Sequence, residues 1–362
     1  MISKSFFETL ELIASEKELD INRVLKKVET AMQIACKNSD VPYKGDIRME
    51  ADFEKKKIKF WNVYYVVDEI DPTFEKRGQI LVEEAKKIKP RVKAGSEIKE
   101  EVNLSTFKRK AASMFKQNFL NEITNLEREE AYNYFKDKVG EVLTGKVTNI
   151  GDGYAVLNLK KGVDVTIFSK DAIPGEKFEI GQEKQVYVAS VESTTKGPKI
   201  MVNRNSKDMV RKVFEMNIPE IRDGLIEIVG IAREPGSRTK IGVASIKSEI
   251  DPKGSCVGPA GSRIKAINNI LNGEKIDIFV WKSNPVDLIA EALMPAHILS
   301  VMPKEREKKA LVICSEDQLS LAIGKAGQNV KLAAYATGWK IDIKRLADAY
   351  AEDIKINYNV VY

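Results

Sequence analysis

One small-residue turn occurs twice in this chain, each time at the mouth of a helix. Gly258-Pro259-Ala260-Gly261 runs into SerArgIleLys, and Gly324-Lys325-Ala326-Gly327 runs into GlnAsnValLys, 66 positions later. Each copy continues through a short apolar helix to a glycine and then to a LysIleAspIle strand, at Lys275–Ile278 and Lys340–Ile343. The surroundings repeat as well. LysAspMetValArgLysValPheGluMetAsn reads as a helix ended by Pro219, and LeuIleGluIleValGlyIleAla and LysIleGlyValAla read as strands either side of residues 233–238. In the second copy Asn284-Pro285 opens a helix stopped by Pro295, and IleLeuSerValMet and AlaLeuValIleCys flank the charged stretch 304–309. Helix, strand, strand, helix, turn, helix, strand is thus run through twice, which dictates two copies of one supersecondary unit.

The repeated turn has its own chemistry. Glycine lets another chain approach closely, because no Cβ stands in the way. At a helix N-terminus the turn also offers N–H groups and the positive end of the dipole to an anion. Two such turns in like contexts describe two KH modules, each clamping the backbone of about four nucleotides of single-stranded RNA. Gly258, Gly261, Gly324 and Gly327 are expected to admit phosphates, with Pro259, Ala260 and Ala326 between them. Ser262, Arg263, Gln328 and Asn329 open the next helices, followed by Lys331, and are expected to reach sugar, phosphate or base edges. Lys325 adds a point charge to the second turn. The first turn lacks one, so it should grip more weakly alone, with Arg263 as the compensating cation.

Ahead of the repeat the pattern is all β. From Val142 to about Arg204 five short strand-like runs alternate with glycine turns, which reads as a small barrel, most simply an OB-fold. Such barrels stack bases on exposed aromatics beside cations. Tyr154 and Phe168 are the candidates, with Arg204, Lys146, Lys160 and Lys161 nearby, although an aromatic in a short strand serves equally well as core.

Residues 1 to about 137 read as helix, helix, strands and a long helix. Ile21, Val24, Leu25, Val28, Met32 and Ala35 recur at helical spacing behind Asp20, a candidate N-cap. Ile47, Met49, Ala51 and Phe53 alternate, as do Trp61, Val63, Tyr65 and Val67, which indicates paired strands around a charged turn at 54–57. The basic stretch 86–93 reads as a solvated loop. From Ser105 to about Lys138 neither Pro nor Gly interrupts a stripe through Phe107, Ala111, Met114, Phe115 and Phe119, so a long helix connects this region to the barrel.

Composition bounds the function classes. The 362 residues suit several domains, and a net charge of +6 permits a nucleic-acid partner without demanding one. No run approaches the roughly 18 apolar residues of a membrane span, and the N-terminus does not read as a signal peptide. Cys36, Cys256 and Cys314 are too widely spaced for a zinc site or a disulfide framework and suit a reducing cytosol. The single histidine, His297, sits among apolar neighbours and reads as a core or boundary residue. The Gly-Lys pairs at 145–146 and 324–325 are followed by Val and Ala, so neither supplies the hydroxyl a P-loop gives to magnesium. No nucleophile, base and orienting group assemble, which reads as a non-enzyme needing no cofactor and no metal.

Taken together, these parts resemble a known family. The order of N-terminal α/β domain, S-one type barrel and tandem KH modules is similar to the NusA family of bacterial transcription termination/antitermination factors. The most specific segments are Ala232–Gly242, Ser255–Ile264, Gly273–Ile278 and Ala322–Ala334, with looser support from Val41–Asp46, Pro174–Glu176 and Gly197–Ile200. The resemblance implies a cytoplasmic, monomeric, RNA-binding elongation factor that contacts RNA polymerase and nascent RNA and modulates pausing, termination and antitermination, with room for further antitermination factors. It also implies that the KH modules pack as one rigid unit. The chain departs from the family at Phe107LysArgLys, where Phe-Gly-Arg-Ile is more usual. It ends after the second module, so autoinhibition by acidic C-terminal repeats is not expected. The expected organisation is an N-terminal polymerase-binding domain at 1–137, an all-β OB-fold barrel at 138–205, KH modules at 206–283 and 284–348, and a tail at 349–362. Two other readings remain open: an RNA-processing enzyme such as a phosphorolytic exonuclease, and a ribosome-associated binder.

Overall fold

The computed structural model describes residues 4–38, 41–71 and 78–360. The chain divides into two compact units, one of residues 1–135 with 192–199 and one of residues 136–191 with 200–362.

The first unit begins with α1 (Lys4–Glu16) and α2 (Ile21–Lys37). Asp20 caps α2 as expected, its carboxylate accepting from the amides of Asn22 and Arg23. Strands β1 (Asp46–Asp52), β2 (Lys57–Val67), β3 (Gln79–Leu81) and β4 (Glu97–Glu101) form one sheet, with α3 (Val82–Ile88) between the last two. The long helix is α4 (Arg109–Lys136). Its stripe of Ala111, Phe119, Ile123 and Leu126 joins Phe7, Leu10, Val24, Val28, Ile47, Ile58 and Phe60 in one core.

Two local expectations change here. The alternation in β2 is not one-sided: Ile58 and Phe60 face the core and Val63 is buried too, while Trp61 and Tyr65 are half-buried beside the cations of Lys59 and Arg48. The basic stretch is not all loop, because Val82–Ile88 is helical. Glu83 and Glu84 open this helix and Lys86 and Lys87 close it, both favoured by the helix dipole. Ala85 anchors it in a small core with Val66, Val92 and Ile98.

The second unit holds the barrel and both KH modules. Strands β5 (Val142–Gly151), β6 (Tyr154–Asn158), β7 (Asp164–Phe168), β8 (Glu183–Thr194) and β9 (Gly197–Asn203) pair antiparallel in the order β7-β6-β5-β8-β9, a nearly closed five-stranded barrel. The tip of the β8–β9 hairpin is the segment that belongs to the first unit.

The first KH module comprises α5 (Lys207–Asn217), α6 (Pro219–Arg222), β10 (Ile226–Glu234), β11 (Arg238–Ser245), α7 (Pro252–Val257), α8 (Ser262–Ile270) and β12 (Lys275–Val280). The second comprises α9 (Pro285–Leu293), β13 (Ser300–Lys304), β14 (Lys309–Cys314), α10 (Glu316–Ile323), α11 (Gln328–Thr337), β15 (Lys340–Arg345) and α12 (Leu346–Ala351). In both, the first two strands pair antiparallel and the LysIleAspIle strand adds in parallel. Its lysine lies opposite the first residue of the middle strand, Arg238↔Lys275 in one and Lys309↔Lys340 in the other. The tail is tied down: the Asn359 amide exchanges hydrogen bonds with the Val301 backbone at 2.8 and 3.0 Å, covering the edge strand β13.

The two modules share an interface. Helix α11 packs against β10 and β11. Gly230 makes this possible, since a Cβ there would stand 2.2 Å from the Ala336 carbonyl oxygen. Lys240 of β11 is buried and its ammonium donates to the carbonyl oxygens of Ala292 (2.7 Å) and Met294 (3.1 Å), at the C-terminal end of α9. That end carries unpaired carbonyls and a negative partial charge.

Burial pushes the Lys240 ammonium down to about 8, against the pull of Asp277. A lysine whose folded-state pKa lies below its unfolded value weakens the fold while charged, and the penalty is relieved as pH rises from about 8 toward 10.5. Against Lys240→Met, the wild-type chain should therefore gain about 3 kcal/mol across that window, by the free-energy equivalent of the shift. Denaturant unfolding of both proteins at a series of pH values checks this, and parallel profiles would contradict it.

Candidate nucleic-acid interface

The two Gly-x-x-Gly turns have the same backbone. Gly258 and Gly324 have φ/ψ of 74/171° and 76/171°, Ala260 and Ala326 have 49/27° and 51/30°, and Gly261 and Gly327 have φ of 72° and 76°. Pro259, Ala260, Lys325 and Ala326 are exposed, so both turns are open to solvent. No side chain caps α8 or α11. The first amide of each donates within its turn, Ser262 to the Pro259 carbonyl and Gln328 to the Lys325 carbonyl, and the amides that follow are left to an external acceptor.

The glycines within a turn serve different ends. A Cβ on Gly258 would lie 2.7 Å from Arg263 Cγ, and one on Gly324 would lie 2.7 Å from the Asn329 amide nitrogen. The first glycine of each turn is thus needed by its own chain. Gly327 has nothing within reach of a Cβ, and Gly261 only ordinary contacts. The second glycine of each turn adopts its positive φ facing open space, where another backbone can come close.

Arg263 and Asn329, expected to reach out, instead fill the space beneath the first glycine. The Asn329 side chain is buried and donates to the carbonyls of Leu293 (2.9 Å), Ala322 (3.1 Å) and Leu321 (3.2 Å). Arg263 is half-buried, with Nη1 donating to Glu220 (2.8 Å) and to the Ser255 carbonyl (2.7 Å). That arginine is committed to holding α6 and α7 against α8. The cation at the first turn is Lys265, whose exposed ammonium lies 3.3 Å from the Ala260 carbonyl. Sequence reasoning missed it, yet the repeat marks it: Lys265 stands in SerArgIleLys where Lys331 stands in GlnAsnValLys.

Ser262 is exposed, whereas Gln328 and Lys331 have a protein partner. Gln328 Nε2 donates to Glu234 (2.6 Å) and Ser237 (2.8 Å), and Lys331 Nζ lies 3.2 Å from the other oxygen of Glu234. The Gln328 hydrogen bond, with Lys331, holds the Glu234 carboxyl below the usual carboxylate range.

On the barrel, Tyr154 and Phe168 sit directly opposite each other across β6 and β7, and both are exposed. They form a two-ring patch, with the Lys170 ammonium 6.0 Å from the Phe168 ring centre. Tyr154 also lies across Gly151, where a Cβ would come within 2.2 Å of the ring.

Arg204 is the clear departure. Its side chain is 2% exposed, and it donates to both oxygens of the buried Glu176 (2.7 and 2.8 Å), to the Gln185 carbonyl and to the Ile270 carbonyl (2.8 Å). Its hydrogen-bonding capacity is spent joining barrel to first KH module, so no phosphate can reach it.

Other residues contribute no chemistry of this kind. His297 is exposed rather than core. Cys36, Cys256 and Cys314 are buried, and burial pushes the first two thiols up to about 11 and 12. Among the described residues no cluster of His, Cys, Asp and Glu could hold a metal, and no helix is long and apolar enough to cross a membrane.

Comparison with known proteins bears on this arrangement. Residues 204–281 match the NusA-like first KH domain, 285–351 the NusA-like second KH domain, and 5–129 the NusA N-terminal domain. The transcription termination/antitermination protein NusA of Bacillus subtilis is 37% identical over 348 residues, covering 96% of this chain and 92% of the relative. The chain belongs to the NusA family. The protein of the same name from Halalkalibacterium halodurans is 36% identical, covering 96% and 90% of the two chains, and that from Thermus thermophilus is 33% identical, covering 94% and 89%. The NusA-like first KH match begins at Arg204, the residue that ties this module to the barrel.

Arg204 supplies a test of structure against contact. Arg204→Ala removes one of the two cations on the buried Glu176 carboxylate, Lys184 Nζ remaining 2.9 Å away, and should destabilise the second unit by about 1.5–3 kcal/mol. Adding Glu176→Gln should recover part of that loss, while the RNA affinity of the folded fraction stays unchanged. Denaturant melts and RNA titrations of the single and double variants check both statements.

Proposed function

We propose that this chain is an RNA-binding transcription elongation factor that holds nascent single-stranded RNA and bridges it to RNA polymerase, modulating pausing, termination and antitermination. The observation that carries the reading is the pair of matching, solvent-open Gly-x-x-Gly turns in a chain of the NusA family. RNA runs along the KH turns, where backbone amides and Lys265, Lys325 and Lys331 meet phosphates. Tyr154 and Phe168 stack bases on the barrel. Residues 1–137 dock on polymerase, 138–205 form the barrel module, 206–283 and 284–348 the KH modules, and 349–362 a tail that closes the second. The chain acts by binding, as a cytoplasmic monomer joined by other antitermination factors, and without catalysis.

Positively charged turns imply that affinity falls as salt rises, by a slope of about 0.7 per neutralised phosphate of a single strand. Replacing Lys325 and Ala326, both exposed, together by Asp should abolish most binding of single-stranded RNA while circular dichroism and thermal unfolding stay near wild type, because Gly324 and Gly327 are kept and Asp tolerates the left-handed backbone of position 326. Undiminished binding would refute the role of the second turn. The affinity-tagged chain should also co-purify with RNA polymerase rather than with ribosomal subunits, and should leave labelled RNA intact in phosphate and magnesium. Shortened RNA would favour a processing enzyme instead.

A further inference from the structure

The carboxylate that occupies Gln328 and Lys331 comes from the other KH module. Glu234 ends β10, and its loop is tied to a buried carboxylate by hydrogen bonds. Arg233 donates to the buried carboxylate of Glu274 at 2.8–3.2 Å, the Gly236 amide donates to it at 2.9 Å, and Thr239 donates to it as well. Glu234 and Ser237 are thereby held against the first turn of α11, one residue beyond Gly327. Two of the three polar side chains best placed to meet a phosphate at the second turn are thus tied to an anion of the protein itself. The third, Lys325, is exposed.

We propose that Glu234 is a specificity-determining residue of the second turn, a carboxylate that stands in for phosphate and must be displaced by RNA. The inference rests on the RNA-binding reading above. The Glu234–Lys331 pair is half-exposed, with side chains 32% and 56% accessible. Pairs of this kind are weak, so a polyanion displaces the carboxylate readily, above all one already anchored at the first turn. A lone anion meets both the competitor and its repulsion. The device discriminates by penalising the wrong ligand rather than by improving the right one.

The experiment uses the full chain and a labelled, unstructured single-stranded RNA titrated across a salt series. Glu234→Gln keeps a hydrogen-bonding partner for Gln328 but removes the charge. It should tighten binding roughly three- to tenfold and steepen the salt slope by about 0.7, as Lys331 becomes free to neutralise one more phosphate. In a Lys331→Met background the same change should give little gain. Unchanged or weaker binding by Glu234→Gln with an unaltered salt slope would make Glu234 a mere latch between modules and overturn the proposal. So would a gain of equal size without Lys331. The double Asp variant of Lys325 and Ala326 separates the levels: if it still binds RNA fully, the RNA-binding reading of that turn fails, whereas its loss together with a silent Glu234→Gln sinks only the role of Glu234.

Discussion

The buried carboxylate of Glu274 is the point from which much of the second unit is organised. It is fully buried and takes hydrogen bonds from Arg233, Thr239 and the amide of Gly236. Arg233 in turn donates to the backbone carbonyls of Arg204 and Ser206, at the exit of the barrel. A buried charge pair of this kind survives only when its remaining hydrogen-bonding capacity is met, and here it is met by three stretches of backbone and side chain that must all be in place. The loop 233–238 is therefore shaped by the strand entry at Glu274. Gly236 lies so close to the barrel that a Cβ would stand 2.9 Å from the Pro174 carbonyl oxygen, while Glu234 and Ser237 reach the second KH module. Barrel, first module and second module meet around one carboxylate.

This explains why two of the segments that carry the family resemblance, Ala232–Gly242 and Gly273–Ile278, are specific in sequence although neither contains a Gly-x-x-Gly turn. They are the two halves of one buried interaction. The RNA-facing turns are open and locally encoded, and the surrounding polar network sets how they are presented. Lys240 plays a related part on the other side of the sheet, where its ammonium closes the C-terminal end of α9. Arg204 does the same between barrel and first module.

Much of the architecture was legible beforehand because it is written in short-range patterns. The five barrel strands, the doubled KH order and the cap at Asp20 follow from alternation, helical spacing and turn residues. The misreadings have physical causes. In β2 large apolar residues occupy both faces, and only the helices packed on one side decide that Ile58 and Phe60 form the core. The basic stretch 86–93 hid a helix because its single buried anchor, Ala85, is small and lies just before the charged run. Arg263 and Asn329 read as ligand contacts in sequence, since a polar residue after a glycine turn points inward or outward with equal ease. The space beneath Gly258 and Gly324 draws both inward.

What the sequence determined alone was the set of backbone conformations. Positive φ at the repeated glycines and the start of each helix depend on residues close together in the chain, so local chemistry suffices. What only the tertiary structure decided was the fate of the charged side chains. Arg204 finds Glu176 across 28 residues and Gln328 finds Glu234 across 94. An arginine or a glutamine carries the same donors wherever it stands. Whether those donors face a ligand or a distant carboxylate depends on which surfaces folding brings together, and no local pattern records that.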